Sequence, residues 1–117
     1  MITKYEFRKG KTIVRQGTHG TSAFIIEKGK VEVFRTDDKG NKTVLGVLKE
    51  KEFFGEMGLI AGWQRTASVV ALEDCVVGVL TRETFLTLPP THPAVIAIKK
   101  IMVERLKTVP DWLKKKG

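Results

Sequence analysis

A single cysteine, Cys75, and two histidines, His19 and His92, are all that the 117-residue chain has of the side chains that build disulfides and most transition-metal sites. One thiol cannot close an internal disulfide, and neither histidine has a metal-ligand neighbour at short spacing. Cys75, within DCVVGVL, is expected to be a small buried hydrophobe, and no metal or cofactor is expected. Long apolar runs are missing too. No stretch approaches the length of a bilayer span, and the N-terminal MITKYEFRKG lacks the apolar middle of a secretion signal. The expectation is a soluble, cytoplasmic protein. With 42% hydrophobic residues, 117 residues suffice to bury one core, so a single domain over 1–117 is expected.

Negative charge is in short supply, since 21 Lys and Arg face 13 Asp and Glu for a net of +8. Such a balance invites a nucleic-acid reading, but its distribution matters. Residues 99–117 carry Lys99, Lys100, Arg105, Lys107 and Lys114 to Lys116 against Glu104 and Asp111, a net of +5. A lysine-rich terminus reads as a solvated helix face or a frayed end. No recognition helix, zinc-finger spacing or aromatic RNA signature accompanies it, so nucleic-acid binding by this chain alone is not expected.

What is present, from residue 2 to about 80, is a series of short β-rich segments punctuated by glycine. TIVRQG, SAFIIEKG, KVEVFR, TVLGVL, TASVVA and CVVGVL carry β-branched or aromatic residues, and DDKGN marks a hairpin turn. Gly29 in EKGK stands where a tight reversal needs a positive φ. The spacing predicts an antiparallel barrel or jelly roll, mainly β. After Leu80 the pattern turns helical through 81–117. Thr81 can cap a short helix over RETFLTL that Pro89 and Pro90 end. A second helix starts at Pro93 after His92, with Val95, Ile98, Met102 and Leu106 at helical intervals, and Pro110 stops it.

Between the strands, FFGEMGLIAGWQRTAS places one carboxylate, Glu56, and one guanidinium, Arg65, in an otherwise almost apolar run. The start of this run reads as a short helical turn, with Gly55 permitting a tight approach. The first amides of such a turn lack intrahelical partners and favour an anion, and the planar fork of Arg65 matches a phosphate bidentately. Glu56 would repel a phosphate, so in the same site it should accept from a neighbouring hydroxyl. A phosphate joined to a sugar satisfies both. A buried ion pair that fixes the loop is the competing reading, and residue types alone leave the two open.

The motif F-G-E-M-G-L-I-A-G-W-Q-R-T-A-S closely resembles the phosphate-binding cassette of cyclic-nucleotide-binding domains, those of catabolite-activator-like proteins and protein kinase A regulatory subunits. The family pattern is F-G-E-hydrophobic-small-L followed at fixed distance by R-(S/T/A)-A-(S/T), and the Gly55 to Arg65 spacing agrees with it. Upstream, FRKGKTIVRQGTHGTSAFIIEKGKVEV resembles the family's first strands, so that the likeness covers roughly residues 5–108. It implies a double-stranded β-helix with an inserted short helix and a regulatory module for cAMP or cGMP, signalling through its C-terminal helices. Residue by residue, it implies that the amides of Gly55, Glu56, Met57 and Gly58 and the guanidinium of Arg65 hold the cyclic phosphate. Glu56 then accepts from the ribose 2′-hydroxyl. Thr66 and Ala67 border phosphate and base, and the Thr66 hydroxyl can meet a guanine amino group.

Two departures qualify that expectation. Gly20-Thr21 replaces the family's Gly-Asp, removing a carboxylate that braces the arginine, so a less firmly oriented Arg65 is expected. Pro110 interrupts the final helix that in family members covers the base and often forms the dimer, leaving Trp112, Leu113 and Trp63 as lid candidates and a homodimer open. Two other functions remain in view. A cupin-type enzyme shares the roll but needs clustered histidines. A degenerate module that lost its ligand would fit Thr21 but not an intact Glu56 and Arg65.

Overall fold

The computed structural model describes residues 2–61 and 64–107. In chain order the elements are β1 (Thr3–Phe7), β2 (Thr12–Val14), β3 (Ala23–Lys28), β4 (Val31–Thr36), β5 (Lys42–Leu48), β6 (Phe53–Phe54), α1 (Glu56–Ala61), β7 (Ser68–Ala71), β8 (Cys75–Leu80), α2 (Arg82–Thr87) and α3 (Pro93–Lys107). The strands form two antiparallel four-stranded sheets, ordered β1-β8-β3-β6 and β2-β7-β4-β5. The interleaved orders are those of a jelly roll, with one short helix inserted between β6 and β7, as the sequence pattern predicts.

Alternation along each strand decides which face is buried. From the first sheet Ile26, Phe54, Cys75 and Val77 point inward, and from the second Val14, Val31, Val69 and Ala71 meet them. Across the first sheet the register sets Phe24 opposite Phe54, and their rings stack with centroids 4.9 Å apart. In the second, the β4–β5 pairing passes from Val33↔Gly46 to Phe34↔Val44, so Leu45 bulges from edge strand β5. The hairpin between these strands is tied by Asp37, whose carboxylate accepts from the amides of Lys39 at 2.9 Å and Asn41 at 2.8 Å. Hydrogen bonds to Asn41, first of all its backbone amide, hold the Asp37 carboxyl below the usual range.

A second apolar cluster lies outside the roll, where Ala23, Leu59 and Leu80 meet Ala94 and Ile98 of α3. Thr81 caps α2, its hydroxyl accepting from Thr84 N at 3.2 Å. His92 does the same for α3, with Nδ1 accepting from Ala94 N at 3.1 Å, which is the helix-starting role expected of it. On the predicted α3 stripe, Val95 and Ile98 are buried. The side chains of Met102 and Leu106, and the whole of Trp63, Pro110, Trp112 and Leu113, lie outside the described residues.

Two strands were not among the predicted segments. β1 is exposed at every residue but Phe7 and pairs only with β8, so TKYEF carries too little apolar alternation to register as a strand. β6 is two residues long, and the helical turn expected over FFGEMGLIAG took in Phe53-Phe54; the structure instead breaks the segment at Gly55 and starts the helix at Glu56. The predicted TIVRQG and TASVVA segments shrink to Thr12–Val14 and Ser68–Ala71, because the chain leaves the sheet where its loops turn toward Arg65.

Cys75 is buried, and burial pushes its thiol above the ordinary value. The thiol lies against Gly29, which has φ +95° and where an added Cβ would come within 2.7 Å of Cys75 Sγ and 2.8 Å of the Asp74 carbonyl. Gly40, with φ +85°, has nothing within 4 Å. Gly40→Ala should therefore cost only left-handed strain, about 1–2 kcal/mol. Gly29→Ala adds to that an overpacking cost of about 1–3 kcal/mol. Urea unfolding of the two variants checks the difference, and equal losses would mean that the Gly29–Cys75 packing contributes nothing.

Candidate functional site

The site is built where β6 gives way to α1. Gly55 takes φ +77°, turning the chain so that its carbonyl receives Gly58 N at 3.1 Å and Leu59 N at 3.4 Å and starts the helix. Only glycine fits there, because a Cβ would lie 2.8 Å from Arg65 Nη1 and 3.0 Å from the Phe24 ring. Glu56 follows as the first residue of α1, where a carboxylate complements the helix dipole, and its side chain is 0% exposed.

Arg65 is held from all sides. Its backbone is clipped to the loop after β2, Arg65 N donating to Thr18 O and Gly17 N to Arg65 O, both at 2.8 Å. The residue as a whole is 9% exposed, and its guanidinium donates from Nη1 to Gly55 O at 2.9 Å and from Nη2 to Ser22 O at 2.8 Å. It lies 5.5 Å above the Phe24 ring centroid, a cation–π distance. Glycines make the room: a Cβ on Gly20 would sit 2.8 Å from Nη2, and one on Gly58 would sit 2.5 Å from Nη1.

Burial lowers the pKa of this guanidinium from its ordinary value, while the Glu56 carboxylate acts in the opposite direction and favours the charged form. The ion-pair and ligand readings of these two residues are thus compatible: one carboxylate supports one cation in a desolvated place. The two carbonyl bonds do not exhaust the five donors of a guanidinium.

A weakly oriented Arg65, expected from Thr21, is not what the structure has. Thr21 is exposed, and the bracing comes from the carbonyls of Ser22 and Gly55 with Phe24 beneath. Main-chain carbonyls have no side-chain signature, which is why the sequence concealed them.

The other predicted residues spread around this centre. Gly58 is buried within α1, whose main chain also includes Met57. Thr66 is exposed and its carbonyl accepts from Arg35 Nε at 3.2 Å, while Ala67 is half-buried ahead of Ser68. A cavity of about 410 Å³ opens beside Arg65, walled by Thr12 to Arg15, Thr18, His19, Gly20, Ser22 and Phe24. Of the seven predicted site residues, Arg65 is the one in that wall. Phe24 was legible only as an aromatic residue of the β-rich segment SAFIIEKG. Arg82, which donates from Nε to the Leu59 carbonyl of α1 at 2.8 Å, was legible only as the start of the short helix over RETFLTL.

Chemically, the arrangement offers a buried cation with directional donors facing a cavity, and a fully buried carboxylate beside it. Comparisons with known proteins bear on what such a site binds. A family model described as Cyclic nucleotide-binding domain matches residues 4–92. The Cyclic AMP receptor protein of Thermus thermophilus is 39% identical over 89 residues, 76% of this chain and 41% of that protein. The crystal structure of the Thermus thermophilus Catabolite Activator Protein superposes with a TM-score of 0.82 at 34% identity, covering 92% of this chain and 51% of that one. The EAL enzyme Bd1971 is similar in its cAMP-bound form (TM-score 0.69, 35% identity) and in its cGMP-bound form (TM-score 0.70, 36% identity), each match covering 89% of this chain and 28% of that one. The chain thus spans less than half the length of the curated relative and about half that of the first structure.

The close quarters around Arg65 set a testable sign. Helix propensity alone would make Gly58→Ala stabilising by about 0.5–1 kcal/mol. The added methyl would instead meet Gly20 O at 2.6 Å and Arg65 Nη1 at 2.5 Å, so a net loss is expected. It should be of about 1–3 kcal/mol in chemical unfolding. A gain in stability would show that the cassette is looser than these distances.

Proposed function

The chain belongs to the cyclic nucleotide-binding domain family, and from that premise we propose that it binds a 3′,5′-cyclic nucleotide at Arg65, without turning it over, as a single regulatory domain spanning 1–117. The observation that carries the proposal is the buried Arg65 guanidinium beside the fully buried Glu56 carboxylate, opening on a cavity of about 410 Å³. That volume lies within the range of small-ligand pockets. Family membership and the bound forms of the Bd1971 enzyme support cAMP and cGMP as the ligand class.

In this reading Arg65 and the amides from Gly55 to Gly58 hold the cyclic phosphate, the dipole of the α1 start adding to the charge of the guanidinium. Glu56 accepts from the ribose 2′-hydroxyl. Thr66 and Ala67 border phosphate and base, and the Thr66 hydroxyl is within the chemistry of a guanine 2-amino donor without penalising adenine. Discrimination between the two nucleotides is then modest, within about tenfold or ~1.4 kcal/mol, and cAMP is the physiological ligand. Occupancy is transmitted by α1, whose Leu59 packs against Leu80, Ala94 and Ile98. A ligand can shift those helices only as far as it prefers one arrangement over the other.

Calorimetric titration with cAMP and cGMP tests the reading directly. Arg65→Ala should weaken binding by about 2–5 kcal/mol, the loss expected when one partner of a buried, hydrogen-bonded charge pair is truncated. Unchanged affinity would remove the phosphate role.

Glu56 gives a finer test because its partner is a single hydroxyl. Glu56→Gln should weaken cAMP while leaving 2′-deoxy-cAMP less affected, and equal losses for both ligands would assign Glu56 a structural role only.

A further inference from the structure

At the end of β7 nearest Arg65, a side chain takes the place of a strand residue. β7 lies between β2 and β4, and its ladder with β4 runs from Val31↔Ala71 to Phe34↔Ser68. One hydrogen-bonded pair further, the same register would set Thr36 against Thr66. The ladder stops short of that pair, and the Thr66 carbonyl accepts instead from Arg35 Nε at 3.2 Å. Both main-chain groups of Thr36 go to Gln16, which donates from Nε2 to Thr36 O at 2.9 Å and accepts from Thr36 N on Oε1 at 2.8 Å. A primary amide offers a donor and an acceptor side by side, as a peptide group does. Gln16 is itself fixed. Its N–H donates to the Ser68 hydroxyl at 2.9 Å, and its turn is closed by Thr18, whose N–H and hydroxyl donate to Arg15 O at 3.3 and 2.6 Å.

We propose that Gln16 is a positioning residue for Arg65: by filling the rung opposite Thr36, it keeps Thr66 out of the ladder and leaves the Arg65 side chain turned toward the carbonyls of Gly55 and Ser22. Two ways of satisfying Thr36 compete. Half-buried N–H and C=O groups are costly without partners, so if Gln16 lets go, the peptide that the register brings to Thr36 is that of Thr66. Lengthening β7 by that pair would take Thr66 from Arg35 and impose the alternating side-chain directions of a strand on Arg65 next to it. The other flank of Arg65 depends on the same turn, because Arg65 N donates to Thr18 O and Gly17 N to Arg65 O, both at 2.8 Å. Gln16 thus anchors the loop that supplies the Thr18 and Ser22 carbonyls and blocks the strand that would draw Arg65 away from them. The loop braces the guanidinium in this way with a threonine, not a carboxylate, at position 21.

Amide hydrogen exchange of the intact, ligand-free chain tests the rung through the sign of the change at Thr66. In Gln16→Met, which keeps the length but has no amide, Thr66 N–H should exchange about tenfold more slowly than in the native chain, because it enters the ladder. A merely structural Gln16 would do the opposite and speed exchange there, so faster or unchanged exchange at Thr66 overturns the proposal. Gln16→Glu serves as a second variant, and as the deciding one if Gln16→Met does not fold. With its introduced carboxyl ionised it lacks the donor for Thr36 O and should slow Thr66 exchange likewise. Acidification that protonates the carboxyl restores a donor beside an acceptor, and Thr66 exchange, corrected for the intrinsic rate at each pH, should return toward the native value; no such return overturns the proposal. Calorimetric affinity for cAMP should fall about tenfold in Gln16→Met, the scale of one lost hydrogen bond, and unaltered affinity counts against the positioning role. This last measurement rests on the proposed cyclic-nucleotide reading. If neither cAMP nor cGMP binds the native chain, that reading fails, while Thr66 exchange without ligand still decides the role of Gln16.

Discussion

Everything around the candidate site follows from keeping one guanidinium charged inside a small β-roll. Removing Arg65 from water is costly unless its donors are satisfied and a counter-charge is near. The chain meets that need with the carbonyls of Gly55 and Ser22, the face of Phe24, and the carboxylate of Glu56. It leaves space by having glycine at positions 20, 55 and 58, where any Cβ would intrude on the cation. The apolar run that surrounds these charges in the sequence supplies core beside the site, while the cavity wall comes from residues 12–24 and Arg65. Phe54 belongs to the inner core, and Leu59 to the outer cluster that carries α3.

How much of this could be read beforehand depended on whether the information sits in side chains. Strands β3, β4 and β8 announce themselves through β-branched alternation, and the hairpin at Asp37–Asn41 through its turn residues. Thr81, Pro93 and His92 mark helix boundaries for the capping reasons that sequence rules encode. The short edge pieces escape because pairing there comes from a neighbour: TKYEF is a strand only because β8 offers it a partner. At the site the motif supplied Glu56 and Arg65, but not the carbonyl acceptors that orient Arg65. A residue type says nothing about where its own main-chain oxygen points. Arg82 escaped for a related reason, since its acceptor on α1 is 23 residues away in sequence.

The two sheets and the helices meet at the cassette, which explains why so short a helix can matter. α1 is joined to the roll through the Gly55 carbonyl and Glu56, and to the outer cluster through Leu59. Strands β3 and β8 reach both apolar clusters, with Ile26 and Val77 in the inner one and Ala23 and Leu80 in the outer one that Leu59 joins. A displacement of α1 would reach Ala94 and Ile98 of α3 through Leu59. Packed sheets resist small deformations strongly, so placing the adjustable piece between them and the helices confines any change to where it can be used.

The bulge at Leu45 has a consequence for how copies of the protein meet one another. β5 is an edge strand, and Val44 and Val47 are each 52% exposed on it. A flat edge of that composition would be a template for adding a strand from a second molecule, backbone to backbone. The shift from Val33↔Gly46 to Phe34↔Val44 interrupts the regular row of donors and acceptors, and Lys42 stands charged at the strand's start, bonded to Glu32 at 2.6 Å. The irregular pairing lets the roll expose valines along its margin while denying a neighbouring chain the even ladder from which aggregates grow.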